Sequence, residues 1–217
     1  MVMKKNGKHS GRKLITRSKL TERSLARSSK TGRVNGYESL HQTNWGLALD
    51  WDRKVADFYE EPIKLTIPDA GSTFKYYPDF EVVNTDGFID YVEIKPFRYA
   101  IKPKTILKHE LIGEHLNEQG YGFRVLTEKD LGLTQIQISN MRRLRWFAIS
   151  GVTPLSELKS LAPQGSTTVE ELERQSGSRE QVMELLGRQL AFVDLSQPVM
   201  ANTTIRKIKE CDYVDFY

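Results

Sequence analysis

Apolar residues recur at helical spacing through "GYESLHQTNWGLALDWD" (36–52). Tyr37, Leu40, Leu47 and Trp51 share one face there, which predicts a first helix with Glu38 near its start. The period then changes. "VADFYEEPIKLTIP" (55–68) alternates apolar and polar positions like strands interrupted at Pro62, and Asp69-Ala70-Gly71-Ser72 is a turn signal. Strands are expected at about 73–83 and 88–95, joined by the hairpin loop Asn84-Thr85-Asp86-Gly87. Helical spacing returns over 104–119, where Ile106, Leu107, Leu111, His115 and Leu116 are expected to face inward and Gly120 to end the helix. "YGFRVLT" (121–127) predicts a buried strand, and 135–149 a further helix. Helix, meander, helix, strand and helix make an α/β layer arrangement with a mixed sheet.

After Gly151 the pattern shortens. Three helices are expected at 153–163, 167–177 and 178–190, the second capped by Thr168 with Glu171 three residues on. A hairpin follows over 191–208. Three helices and a hairpin describe a small winged helix. The expected division is a flexible basic arm (1–35), an α/β domain (36–150), and a winged-helix-like domain with a tail (151–217).

Charge sharpens this division. Residues 1–35 hold eleven Lys and Arg against one acid, a net +10, while the remaining 182 residues hold 21 basic and 27 acidic side chains, a net −6. A cationic, apolar-poor arm fits an acidic polymer, and Lys4, Lys5, Arg12, Lys13 and Arg17 are candidate DNA contacts. No run approaches the length of a membrane helix, and the basic start lacks the apolar stretch of a secretory signal. The single cysteine, Cys211, excludes an intramolecular disulfide and suggests a reducing compartment.

The candidate chemistry lies in "YYPDFEVVNTDGFIDYVEIKP" (76–96). Side chains alternate along a strand, so Glu93 and Lys95 project from one face while Val92 and Ile94 pack on the other. Hairpin pairing can bring Asp79 beside them. Converging carboxylates repel unless a cation sits between them, and hard oxygen ligands suit Mg²⁺ or Mn²⁺. A nearby ammonium can then orient water or stabilise phosphate charge, as phosphodiester hydrolysis requires. Lys102, Lys104 and Lys108 lie just beyond this strand and are candidate phosphate contacts, and Arg142, Arg143 and Arg145 form a second basic face. His109 and His115 are spaced for core or surface roles. The aromatic, acidic tail "CDYVDFY" (211–217) reads equally as a docking peptide or a closing strand.

"YYPDFEVV" with "DYVEIKP" resembles the PD-(D/E)xK nuclease core, and the preceding "YESLHQTNWGLALDWDRKVADFYEEP" resembles the opening of the TnsA-type transposon endonucleases. Gly46 departs from the bulkier residue usual in that family's helix. The resemblance implies a restriction-endonuclease-like fold with a C-terminal winged helix. It implies metal ligation by Glu38, Asp79, Glu93 and the Ile94 backbone carbonyl, with Lys95 as the catalytic lysine and two Mg²⁺ per site. It also implies cleavage of the 5′ strand at transposon ends in the bacterial cytoplasm, beside a DDE-type transposase and an AAA+ regulator ATPase. A stand-alone restriction or repair nuclease and a non-catalytic DNA-binding adaptor are the alternatives.

Overall fold

The structure is a computed structural model that describes residues 24–212 and residue 216. The candidate DNA contacts Lys4, Lys5, Arg12, Lys13 and Arg17, and most of the tail, lie outside the described residues.

The chain begins with a hairpin, β1 (Ser24–Arg27) and β2 (Val34–Tyr37), followed by α1 (Leu40–Trp51). Strand β3 (Val55–Glu60) precedes a second hairpin, β4 (Leu65–Asp69) and β5 (Ser72–Tyr76), turned by Ala70 and Gly71, both at positive φ. Strands β6 (Phe80–Asn84) and β7 (Ile89–Ile94) form the expected third hairpin. Next come α2 (Phe97–Ala100), α3 (Pro103–Asn117), β8 (Gly122–Leu126), α4 (Glu128–Leu131) and α5 (Gln135–Ser150). The central sheet runs β3-β6-β7-β8, antiparallel except for the parallel β7–β8 pair.

Both faces of this sheet are covered, so β7 is buried along almost its whole length. On one face Val92, Ile94, Phe80, Val82 and Phe58 meet Trp45, Ala48 and Leu49 of α1. On the other, Tyr91 meets Ile112 and Leu116 of α3 together with Leu65, Ile67 and Tyr76 of the β4–β5 hairpin. The expected strand at 73–83 is therefore two strands, broken at Pro78-Asp79, and each half joins a different sheet.

Three other expectations change. The first helix starts at Leu40, with Ser39 as its N-cap, and Tyr37 is buried from a strand. Tyr37 lies against the Cα of Gly46, where a Cβ would sit 2.4 Å from its hydroxyl oxygen, so the departure at Gly46 makes room for this ring. In α3 the inward stripe is His109, Ile112 and Leu116, whereas Ile106 and Leu107 are exposed. Strand β8 is a half-buried sheet edge.

The basic arm is also shorter than its charge suggests. Asp50 of α1 accepts hydrogen bonds from Ser28 Oγ, Ser29 N and Lys30 N. Lys30 Nζ donates to the carbonyls of Leu49 and Asp52 at the C-terminal end of α1, where a cation meets unsatisfied carbonyls and the negative end of the helix dipole, and to the carbonyl of Val55 at the start of β3. Arg33 pairs with Asp57 and stacks on Tyr59, 4.2 Å from the ring centroid. Lys30 and Arg33 are thus part of the folded body.

The rest of the chain holds α6 (Leu155–Leu161), β9 (Ser166–Thr168), α7 (Val169–Ser176), α8 (Arg179–Gly187), β10 (Phe192–Val193) and β11 (Thr204–Arg206). The three short strands form an antiparallel sheet in the order β10-β11-β9. Thr168 caps α7 as expected, accepting from Glu171 N. Helix α5 serves both parts. Ile138 and Met141 pack with Leu47 of α1, while Leu144 joins Leu158, Leu172, Val182 and Leu186. Helix α8 lies so close that a Cβ at Gly187 would meet the Leu144 carbonyl oxygen at 2.2 Å.

Gly46→Ala is expected to destabilise the chain by about 1–3 kcal/mol through overpacking against Tyr37, read by urea denaturation. In a Tyr37→Ala background, itself destabilised by the lost core ring, the same Gly46→Ala change should cost less, since the obstructing ring is gone.

Candidate active site

Strand register brings the candidate residues together. Phe80 pairs with Val92 and Glu81 with Tyr91, so one step further the ladder sets Asp79 opposite Glu93. Both belong to the sheet face covered by α3 and the β4–β5 hairpin. They sit at the end of two internal strands, not at a sheet edge.

Each carboxylate is held by donors from different elements. Asp79 Oδ2 accepts from Ile94 N at 2.6 Å, and Asp79 Oδ1 accepts from Gln42 Nε2 at 2.7 Å. Glu93 Oε2 accepts from the Tyr76 hydroxyl at 2.7 Å, and Glu93 Oε1 pairs with Lys95 Nζ. Glu93 is only 8% exposed. The shared face expected for Glu93 and Lys95 is therefore present.

The electrostatics are strained towards a cation. Burial, and then the Glu93 charge, push the Asp79 carboxyl up to about 7. Burial and Glu93 also hold the Tyr76 phenol well above its ordinary value, so it remains a proton donor to Glu93. Burial lowers His109 below its usual value, partly opposed by Glu93. That imidazole lies edge-to-face on Phe123, a core role as expected, and His115 Nε2 contacts Gln119 at the surface.

Glu38 is the exception. It precedes the N-cap and lies on the link between β2 and α1, and its backbone N–H donates to Gln42 Oε1 at 2.7 Å. Among the described residues, no group of three His, Cys, Asp or Glu side chains is placed to hold a metal ion, so Glu38 does not complete a trio with Asp79 and Glu93. The helix residue that reaches Asp79 is Gln42, which sequence reasoning missed. Its signal was available: Ser39-x-x-Gln42 is a capping-box pattern, which marks a helix N-terminus.

The donor set fits a hard divalent cation. Glu93 is buried and Asp79 half-buried, and both offer hard oxygen donors at the ends of neighbouring strands. Asp79 and Glu93 would hold such an ion, with Lys95 beside it.

Around the site the surface is basic and aromatic. Arg98 and Lys102 each lie 4.7 Å from the ring centroid of the exposed Tyr99, and Lys129 covers Phe97. Lys104 and Lys108 are exposed on α3, and Lys108 reaches over the Tyr76 ring. Arg142 of α5 donates to Asn44 Oδ1 of α1, while Arg143 is exposed on α5.

A mixed sheet flanked by helices, with an acidic pair and a lysine at the ends of two central strands, is consistent with a restriction-endonuclease-like fold. In comparison with known proteins, residues 52–128, 77 of the chain's 217, match the family model described as TnsA-like endonuclease N terminal. Over that segment the chain is similar to TnsA-like endonucleases, which supports a TnsA-type reading. The matched segment contains Asp79, Glu93 and Lys95, and it leaves out Glu38, Gln42 and everything beyond Glu128. No curated protein matches the chain.

The raised Asp79 carboxyl has a pH signature. Its value in the folded chain, about 7, exceeds the ordinary 3.8, so the folded state binds the extra proton between these values. Metal-free stability should therefore fall as pH rises from about 4 to about 7, and Asp79→Asn should flatten that fall in thermal denaturation.

Proposed function

We propose that this chain is the divalent-metal-dependent DNA endonuclease subunit of a heteromeric transposase, hydrolysing the 5′ strand at transposon ends. The observation that carries the reading is the Asp79–Glu93 pair with Lys95 on the same face. Mg²⁺, or Mn²⁺ in its place, would supply Lewis-acid stabilisation of phosphate charge and a water of lowered pKa. Asp79 and Glu93 act as its ligands, with the Ile94 carbonyl as a further candidate. Lys95 orients the attacking water or stabilises the charge that builds on the scissile phosphate. Tyr76 keeps Glu93 oriented by donating to its second oxygen.

The DNA path we propose crosses α2 and the start of α3, where Lys102, Lys104 and Lys108 meet phosphates. The basic residues of 1–23, eight of the eleven in the arm, add sequence-independent affinity. We also propose the α/β part as the catalytic domain and residues 151–208 as a winged helix. The order helix, strand, helix, helix, strand, strand and the sheet β10-β11-β9 support that reading. Its third helix, α8, is covered by α5 and buried from Val182 to Gly187, so it is not available to enter a DNA groove. The C-terminal part is then a protein-docking module, with the AAA+ regulator as its partner. Sequence choice comes from the DDE-type transposase, and the complex works in the bacterial cytoplasm on the nucleoid.

Asp79→Ala is expected to abolish both Mn²⁺ binding and cleavage. Lys95→Ala removes a positive charge from the same site, so metal affinity should hold or rise while cleavage falls by about 10²–10³-fold. Calorimetric Mn²⁺ titration and strand-resolved cleavage with the partner transposase present measure the two effects. Normal cleavage by Lys95→Ala would remove the lysine from the mechanism.

Deleting residues 1–23, which leaves the β1–β2 hairpin in place, should flatten the salt dependence of DNA affinity. The slope should drop by about 0.9 log units per log unit of salt for each phosphate that the arm no longer neutralises. An unchanged slope in a fluorescence-anisotropy titration would assign the arm to a partner instead.

A further inference from the structure

Gln42 is the third residue of α1, and Ser39 accepts from its backbone N–H. In a capping box the side chain at this position returns to the N-cap backbone N–H. Here it reaches one residue further, to the N–H of Glu38, and its other end goes to Asp79. An amide has one acceptor end and one donor end. Glu38 N–H can only donate, so it takes the Gln42 oxygen and leaves the Nε2 hydrogens for Asp79. The orientation of the amide is therefore set by its partners.

Asp79 in turn has one oxygen on the β7 backbone and the other on Gln42. Two donors from separate elements fix the plane of its carboxylate, and the neighbouring charge of Glu93 does not displace it. A carboxylate in the Gln42 position would add a third negative charge and remove the donor.

Resting on the nuclease reading above, we propose that Gln42 is a positioning residue. It holds Asp79 in the orientation that ligates the cation, and it couples that orientation to the N-terminus of α1. Helix capping is its second duty and is separable from the first, because Glu serves a capping box as well as Gln does.

The test is Mn²⁺ calorimetry and thermal denaturation on the full chain. Gln42→Ala and Gln42→Met, the latter keeping length and packing without the amide, are expected to weaken Mn²⁺ binding by about 10-fold or more, the usual cost of losing a group that orients a metal ligand. Binding by the Met variant within twofold of wild type would overturn the proposal. Gln42→Glu should lower the metal-free melting temperature, and Mn²⁺ should restore it. A purely capping residue would leave that temperature unchanged, and this result would also overturn the proposal. If the wild-type chain itself binds no Mn²⁺, the metal-site reading falls and the role of Gln42 with it. If wild type binds and the Met variant binds equally, only Gln42 is misassigned.

Discussion

Two carboxylates that face each other across paired strands must share a proton or be joined by positive charge. Asp79 and Glu93 are in that position, and much of the surrounding structure serves to keep them there. The β6–β7 register aligns them, and the break at Pro78-Asp79 lets the backbone leave one sheet for another just before the first. Tyr76 arrives from the β4–β5 hairpin, Gln42 from α1, and Lys95 from just beyond the end of the strand that carries Glu93. A repulsive pair assembled by several separate elements is costly without a ligand. That cost is the physical reason behind the proposal that a cation joins the pair.

Much of this was legible from residue order. Period-two alternation places Glu93 and Lys95 together on any strand, and the Asn84–Gly87 loop made the hairpin that brings Asp79 back. What could not be read was which neighbours each face would meet. Tyr37 has the spacing of a helix residue, yet it is buried from β2 because Gly46 leaves room for its ring. Starting the helix there carried Glu38 onto it and hid Gln42, although the Ser39 cap stood between them. A capping signature fixes a helix start more tightly than apolar spacing does, because it names the residue whose backbone leaves the helix.

Charge counting misled in a similar way. Lys30 and Arg33 look like members of a basic tail, and only the fold supplies their partners: three carbonyls around the α1–β3 turn for one, Asp57 and Tyr59 for the other. Helix α5 shows the same limit for domain borders. Its apolar positions predict an amphipathic helix, but one-dimensional periodicity does not reveal that Met141 faces α1 while Leu144 faces α8. The close approach at Gly187 accompanies the burial of α8 from Val182 to Gly187.

Locating the cation tests the acidic pair most directly. Crystals of the full chain grown with Mn²⁺ allow an anomalous difference map at the manganese edge. A cation held between the two strands predicts a peak within about 2.5 Å of carboxylate oxygens from both Asp79 and Glu93, a reach typical of hard-cation ligation. No peak there at saturating Mn²⁺, or one that touches neither carboxylate, would contradict it.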